Sequence, residues 1–243
     1  MDCADDLEVT LQPIKAMDMD AAIIFSDILV PIVPMGVEVD FRPGPHIANP
    51  VRNRSDIEKL KVVDPKQSVS FVSTAISSLK RELVNFSSEG EPKAVIGFSG
   101  APWTLACYMI DQGVYKHFLG TNVFARKNPE AAHLLLNKLS EMVADYLVMQ
   151  YESGAEVVQL FDTWAGNLSK SDYQQFALPY TQKIVEKVKK AGCPIVLYVN
   201  NCSHLLAEMA QSGADGVSVD WKTELPIARK AIGDELILQG NLD

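Results

Sequence analysis

Cysteine and histidine are scarce in this chain, and neither is arranged as a set of metal ligands. Among 243 residues there are four of each. The cysteines are Cys3, Cys107, Cys193 and Cys202, and the histidines are His46, His117, His133 and His204. The cysteines show no metal-ligand spacing and no His-x-x-x-His or His-x-Cys occurs, so we predict no metal site. The absence of a disulfide framework favours a reducing compartment.

Long apolar runs and basic clusters are also missing. No segment approaches the roughly 20 apolar residues of a membrane span, and the first six residues are acidic rather than a basic signal region. The net charge is -9, the pI is about 5.0, and the longest basic stretch is Lys187–Lys190. These features argue against membrane and nucleic-acid partners. We expect a cytoplasmic protein, or a plastid one in a photosynthetic eukaryote.

Nucleotide-binding signatures and interdomain linkers are absent as well. No Gly-x-Gly-x-x-Gly follows the first apolar run, and no phosphate-binding Gly-Lys-Ser/Thr occurs. The longest stretch rich in Gly, Pro and Asn is Pro43–Pro50, which predicts a loop at the rim of a sheet. A chain of this length with 47% apolar residues can bury a sizeable core. We therefore expect a single domain over residues 1–243.

What the sequence does contain is six short apolar runs, each ending at a polar or acidic residue. They are Ala21–Asp27, Ala94–Gly100, Glu156–Thr163, Pro194–Asn201, Gly216–Trp221 and Leu236–Asn241. Continuous rather than alternating apolar residues predict strands covered on both faces, as in a parallel sheet wrapped by helices. Ligands of such sheets bind at the carboxyl ends of the strands. The polar ends of the runs are therefore the predicted rim of a binding site.

Segments with helical spacing separate the runs. They cover about 68–86, 129–153, 171–191, 203–212 and 224–232, and helix-like sequence also covers 5–15. The alternation predicts an α/β fold, either a doubly wound open sheet or a (β/α) barrel. The missing nucleotide signatures favour the barrel. Six strands are fewer than the eight of a closed (β/α)8 TIM barrel, so we expect an incomplete one.

Asp27 ends the first run among large apolar neighbours. A carboxylate in such surroundings is incompletely hydrated, so it can accept hydrogen bonds from N–H donors and stabilise a positive charge that develops nearby. The alternative is a strand-end Asp that caps the next helix or turn. The sequence leaves both interpretations open.

Two later strand ends carry further candidates. Tyr108 lies one helical turn beyond Thr104, where its hydroxyl can turn toward the rim, and an ordinary buried Tyr is the alternative. At the third run, Phe161 and Thr163 share one face of the strand and Asp162 lies on the other. The ring and the hydroxyl can face a ligand while Asp162 anchors a loop. A helix N-cap at Asp162 or Thr163 fits equally well.

Five segments taken together resemble the uroporphyrinogen decarboxylase family. They are Phe25–Leu29, Gly97–Thr104, Leu160–Gly166, Val219–Trp221 and Leu238–Asp243, in the family's order. The resemblance implies a (β/α)8 barrel and a homodimer. It implies removal of carbon dioxide from the four acetate side chains of uroporphyrinogen III, giving coproporphyrinogen III in haem biosynthesis, with no cofactor or metal. It also matches the six runs to strands two through seven, with the first and last strands missing.

The resemblance further implies roles for individual residues. Asp27 matches the catalytic carboxylate that holds the inward-facing pyrrole N–H groups of the substrate. Tyr108 and Thr163 match the substrate-contacting Tyr and Ser/Thr of the family. Three apolar residues would form the wall around the macrocycle, namely Ile23, Phe25 and Leu29.

Some family segments have no counterpart here, and two alternatives follow. The Arg-Gln-Ala-Gly-Arg segment and the last strand with its His are missing, and Asp111–Lys116 and Asn200–His204 depart from the family pattern. One alternative is a catalytically inactive barrel fragment that at most binds a tetrapyrrole or a partner chain. The other is a zinc-dependent corrinoid methyltransferase of the same ancestry, which has His-x-Cys where this chain has Tyr198–Asn200.

Overall fold

The main feature of the fold is a parallel sheet of six strands. The structure is a computed structural model, which describes residues 3–40, 44–86, 92–113 and 118–242 and the side chains from residue 7 onward. The strands are β1 (Ala21–Ile23), β2 (Val39–Asp40), β3 (His46–Ile47), β4 (Ala94–Gly100), β5 (Val157–Phe161), β6 (Ile195–Val199), β7 (Gly216–Val219) and β8 (Ile237–Gln239). All but β2 and β3 belong to the main sheet, and β2 and β3 form an antiparallel pair. Each of the six predicted runs contains one strand of the main sheet, which confirms that prediction.

Helices fill the connections between the strands. They are α1 (Cys3–Met17), α2 (Arg54–Lys59), α3 (Pro65–Ser68), α4 (Ser70–Leu83), α5 (Pro102–Asp111), α6 (Leu119–Lys127), α7 (Pro129–Glu152), α8 (Lys170–Phe176), α9 (Leu178–Lys190), α10 (Leu206–Ala210) and α11 (Leu225–Ile232). Short 3-10 helices cover Val30–Met35, Val84–Phe86 and Ala165–Asn167.

Three of the predicted boundaries were wrong. The segment 171–191 is two helices, because α8 ends at Phe176 and α9 begins at Leu178. Pro179, in the first turn of α9, has no N–H to continue the hydrogen-bond ladder. The segment 203–212 is helical only in α10. The predicted loop Pro43–Pro50 contains β3, since its backbone pairs with β2; Pro43 itself lies outside the described residues.

The order of the strands in the sheet decides between the two predicted architectures. The order is β1-β4-β5-β6-β7-β8, the same as in the chain, and every neighbouring pair is parallel. A doubly wound sheet reverses its strand order at a switch point, and this sheet does not. Right-handed crossovers that all advance in one direction put the connecting helices on one face. The fold is therefore part of a (β/α) barrel, and which barrel strands the six represent stays a prediction.

One side-chain contact shows that the sheet is strongly curled. The amide nitrogen of Gln239 on β8 donates to the amide oxygen of Gln159 on β5 at 3.4 Å. These strands are three positions apart in the sheet, which corresponds to about 14 Å in a flat sheet. Two side chains standing perpendicular to a flat sheet do not meet across that distance. The face that carries both glutamines is therefore concave, as on the inside of a barrel.

The hydrophobic core lies between the convex face of the sheet and the helices. The largest contribution comes from α7, whose predicted apolar stripe is buried over Leu135, Leu139, Met142, Val143, Tyr146, Leu147 and Gln150. Each such apolar side chain contributes roughly 1.5–3 kcal/mol when fully buried. The helix is followed by Gly154, whose φ of 120° suits glycine. Asn128 precedes α7 as predicted but makes no side-chain cap hydrogen bond.

Gly166 provides a test of how closely the loops after β5 and β6 approach each other. A Cβ added at Gly166 would lie 1.9 Å from the carbonyl oxygen of Asn200. We expect Gly166→Ala to lower the free energy of unfolding by about 1–3 kcal/mol, because the backbone must shift to relieve the overlap. Gly44→Ala is the matched control, since a Cβ there meets nothing within 4 Å. Equal urea midpoints for the two variants would contradict the packing of these loops.

Candidate active site

Asp27 lies just beyond the carboxyl end of β1, with its carboxylate fixed by the backbone. Its Oδ1 accepts the N–H of Leu29 at 2.7 Å, and its carbonyl oxygen accepts the N–H of Val30 at 3.1 Å. The turn-capping interpretation is therefore correct for one carboxylate oxygen. The other oxygen makes no hydrogen bond to any residue that the structure describes, so it can accept one from a ligand.

The surroundings of Asp27 disfavour its charge. Burial raises the pKa of this carboxyl, and the hydrogen bond from Leu29 only partly opposes that effect. No lysine or arginine of the described part of the chain contributes to the pKa of Asp27. A carboxylate held in apolar surroundings without a counter-ion interacts strongly with an N–H donor or a cation that enters the site.

Tyr108 faces Asp27 from α5 and belongs to an aromatic cluster. Burial raises the pKa of its hydroxyl, and the charge of Asp27 raises it further, so the two groups are within electrostatic reach. The Tyr108 ring packs edge-on against Phe118 at 5.7 Å and Trp164 at 6.4 Å between centroids. Phe118 and Trp164 approach each other to 4.5 Å. These three residues are here called the aromatic cluster, and Tyr108 connects it to Asp27.

Thr163 lies in the turn after β5, between Asp162 and Trp164, and its side chain is half-buried. The turn is tied to α5, because the hydroxyl of Thr104 donates to Oδ1 of Asp162 at 2.8 Å and accepts the N–H of Trp164 at 3.1 Å. The 3-10 helix that follows has no side-chain cap, so the N-cap interpretation was wrong. Asp162 instead anchors the turn that carries Thr163.

The three predicted wall residues divide into two groups. Ile23 and Phe25 are 51% and 50% exposed, whereas the alternating Ala22 and Ile24 are buried under the helices. Ile23 and Phe25 thus lie on the open face of β1 and its extension, in register with Asp27. Leu29 is only 1% exposed and packs in the core. It therefore contributes its backbone N–H to Asp27 and not an exposed wall, which corrects the prediction.

The structure also brings together residues that the sequence did not single out as a group. Phe161 packs edge-on against Phe98 at 5.7 Å and against Tyr198 at 5.6 Å, so one aromatic row crosses β4, β5 and β6 on the concave face. Tyr146, fully buried on α7, lies close enough to Asp27 that burial and the Asp27 charge both raise its pKa. The only sequence signal for Tyr146 was an apolar stripe, which does not distinguish a site residue from a core residue.

The described side chains offer no evident metal site. No group of three or more His, Cys, Asp or Glu among them could hold a metal ion. The described thiols are free and buried, and burial raises the pKa of Cys107 and Cys202 and brings that of Cys193 to about 12. Such thiols stay protonated and are poor ligands and nucleophiles. The side chain of Cys3, and His117, lie outside the described residues.

Among the described residues, no helix is both long enough and apolar enough to cross a membrane.

The sheet and the side chains at its rim indicate a class of protein. A curled parallel sheet in sequential order, with a half-buried carboxylate and aromatic side chains beyond the strand ends, is typical of (β/α)-barrel proteins that bind ligands at that end. A family profile described as uroporphyrinogen decarboxylase (URO-D) matches residues 5–243. The chain belongs to the uroporphyrinogen decarboxylase family.

Individual relatives agree with this assignment. The chain is 41% identical over 241 residues to the uroporphyrinogen decarboxylase of Gloeobacter violaceus, covering 98% of the chain and 68% of the relative. It is 42% identical to that of Trichodesmium erythraeum over 98% of the chain and 66% of the relative. With that of Myxococcus xanthus the identity is 41%, over 97% of the chain and 66% of the relative. The chain thus spans about two thirds of the length of these relatives.

Solved structures agree with the fold. A methyltransferase from Methanosarcina mazei superposes with a TM-score of 0.83 at 19% identity, over 99% of this chain and 70% of that one. A B12-independent methionine synthase from Shewanella has a TM-score of 0.61 at 10% identity, over 97% of this chain and 69% of that one. At these identities the likeness concerns the fold alone.

The surroundings of Asp27 lead to a prediction about its titration. We expect its carboxyl to titrate above the ordinary value of 3.8, because burial penalises the charged form. The native state then binds this proton more tightly than the unfolded state, so the contribution of Asp27 to stability is lost as the pH rises through the folded pKa. Side-chain carboxyl NMR, with the signal identified by its loss in Asp27→Asn, measures this. A midpoint at or below 3.8 would show that Asp27 is well solvated.

Proposed function

We propose that the protein to which this chain belongs is a carboxy-lyase that decarboxylates the four acetate side chains of uroporphyrinogen III and forms coproporphyrinogen III. The family assignment supports this reaction, since the relatives are named uroporphyrinogen decarboxylases. The observation that carries the proposal for this chain is Asp27, a half-buried carboxylate with one oxygen fixed by Leu29 and the other free of hydrogen bonds to described residues.

The chemistry of the reaction fits such a group. Protonation of a carbon of the electron-rich pyrrole next to the acetate creates a cation. The bond to the carboxylate then breaks, and its electron pair neutralises the cation as carbon dioxide leaves and an exocyclic methylene forms. Protonation of that methylene and loss of the proton from the ring carbon give the methyl group of the product. In our proposal Asp27 accepts hydrogen bonds from the inward-facing pyrrole N–H groups and stabilises the cation electrostatically. It acts without a covalent bond to the substrate. A preorganised charge of this kind is worth most where water is excluded.

The neighbouring residues have supporting roles in the proposal. Tyr108 and Thr163 contact the substrate with their hydroxyl groups. Ile23 and Phe25 contact the apolar face of the macrocycle, because they are apolar, exposed and on the same side of β1 as Asp27. The carboxyl groups of the substrate lie at its periphery, away from this apolar surface.

We expect Asp27→Asn in the full-length protein to lower kcat by about 10²–10³-fold, because the amide keeps the shape of the side chain but removes its charge. Coproporphyrinogen formation, followed by fluorescence after oxidation to the porphyrin, measures the loss. Asp20→Asn is the matched control, since Asp20 is an exposed residue at the other end of the same strand. Turnover of Asp27→Asn close to that of Asp20→Asn would exclude the proposed role.

The zinc-dependent methyltransferase has less support. The methyltransferase from Methanosarcina mazei shares the fold at 19% identity, whereas the decarboxylases are about 41% identical. Tyr198–Asn200 also offers no His-x-Cys. Stoichiometric zinc in the purified protein would revive this alternative. Aggregation of the 243-residue chain with no turnover would support the inactive-fragment alternative, and cooperative unfolding with product formation would oppose it.

We also propose that the full-length protein is a homodimer in the cytoplasm, or in the plastid of a photosynthetic eukaryote. Both follow from the family resemblance and from the composition of the chain. We expect light scattering coupled to size-exclusion chromatography to give twice the mass of one full-length chain. A mass equal to one chain across the micromolar range would contradict the dimer.

A further inference from the structure

Two aspartates directly follow strands of the main sheet and are buried without a lysine or arginine partner among the described residues. Asp220, after β7, is 4% exposed, and Asp162, after β5, is fully buried. Oδ1 of Asp220 accepts the N–H of Lys222 and the hydroxyl of Thr223, and its Oδ2 accepts the N–H of Cys202. Both carboxylate oxygens of Asp220 are therefore satisfied. Asp162 differs, because its Oδ2 is buried with no hydrogen-bond partner among the described residues.

The satisfied oxygen of Asp162 controls a turn of the candidate site. Thr104 donates its hydroxyl to Oδ1 of Asp162, and the same hydroxyl oxygen accepts the N–H of Trp164. The carbonyl oxygen of Asp162 accepts the N–H of Ala165 at 3.0 Å. Thr104 is itself fully buried, so it has no freedom to re-form these bonds elsewhere. The position of the turn that carries Thr163 therefore depends on the Asp162 carboxyl.

That turn reaches Asp27 through the aromatic cluster. Trp164 packs on Phe118 and Tyr108, and the charge of Asp27 raises the pKa of the Tyr108 hydroxyl. A displacement of the turn moves Trp164, and the ring of Trp164 forms part of the surface against which Tyr108 rests. Asp162 is thus connected to the candidate site without lining it.

We propose that Asp162 is a positioning residue of the candidate site, and that gain or loss of its proton shifts the Thr163–Trp164 turn against Tyr108 through Thr104. This inference rests on the proposed function for its effect on turnover, but the movement of Trp164 does not depend on that function.

The groups around Asp162 make its charge costly. Burial raises the pKa of Asp162 to about 7, with the Thr104 hydrogen bonds opposing the shift. The titratable groups that face it are Cys107 on α5 and Tyr173 on α8, whose pKa values burial raises and the Asp162 charge raises further. Tyr173 also has a buried hydroxyl with no partner among the described residues. Among the described residues no cation lowers this pKa and no group donates a hydrogen bond to Oδ2, so the charged form of Asp162 is disfavoured.

A fluorescence titration of the full-length protein tests the movement directly. Trp164 is the reporter, and the part of the emission that is lost in Trp164→Phe identifies its share; residues 1–243 contain three tryptophans. We expect a transition near pH 7 in the native protein, absent from Asp162→Asn. The amide of that variant can still accept from Thr104, so the protein folds, but it cannot ionise. Persistence of the transition in Asp162→Asn, or its absence from the native protein, would overturn the proposal.

Asp220→Asn is the matched control. Both carboxylate oxygens of Asp220 accept hydrogen bonds from backbone N–H groups. In the Asn variant, the N–H of either Cys202 or Lys222 faces the amide NH2 group and loses its acceptor. We expect this variant to be less stable at every pH and to keep the Trp164 transition. If Asp162→Asn does not fold, Thr104→Val takes its place, because it breaks the link to Trp164 while the carboxyl remains. Retention of the full transition in Thr104→Val would then overturn the proposal.

Stability and turnover provide two further readouts. Because the folded pKa of Asp162 is raised, the native protein loses free energy of unfolding as the pH rises from about 3.8 to about 7. We expect Asp162→Asn to lack this dependence of stability on pH. We expect the pH profile of kcat/KM of the native protein to show a transition near 7 that Asp162→Asn lacks. If Asp27→Asn is as active as Asp20→Asn, the proposed role of Asp27 fails, and if the full-length protein forms no coproporphyrinogen, the proposed function fails. In both cases the fluorescence result still decides the role of Asp162.

Discussion

The hydrogen bonds between six parallel strands in chain order are the constraint on which the candidate site depends. Sequential pairing sends every connecting helix to one face and leaves the other face open. The curl of the sheet, shown by the contact between Gln159 and Gln239, turns that open face into a concave surface. The carboxyl ends of β1 and β5 are thereby held on one rim, although Asp27 and Thr163 are far apart in the chain.

The rim contains three buried or half-buried carboxylates, and the hydrogen bonds that they accept from described residues come from neutral donors and not from cations. Asp27 is held by a backbone N–H, Asp220 by backbone and hydroxyl donors, and Asp162 by one hydroxyl. Asp220 thus joins loops without an unsatisfied atom, as expected of a structural group. Asp27 and Asp162 each keep an oxygen without a partner among the described residues. The oxygen of Asp162 is buried, and an unsatisfied buried polar atom is costly, which points to a role beyond holding the fold together. Asp27 is only half-buried, so its second oxygen is open to a ligand.

Local patterns predicted most of the secondary structure because the relevant forces act within a few residues. The six apolar runs became strands, and the stripe of α7 became its buried face. The predictions failed where one residue interrupts a local pattern and where a strand depends on pairing with another segment. The interruption at Ala177 required weighing Pro179 against an otherwise helical pattern. The strand β3 was missed because its residues carry no strand signal of their own and pair only with β2.

The sequence by itself determined the α/β class, the strand ends and the candidacy of Asp27, because apolar periodicity and a polar residue after a buried strand are local properties. The tertiary structure decided the rest. The strand order excluded the doubly wound sheet, Leu29 proved to be a core residue, and Asp162 proved to be linked to Thr104 across 58 positions of the chain. Burial and hydrogen-bond partners depend on which distant segments meet, and that is set by packing of the whole chain.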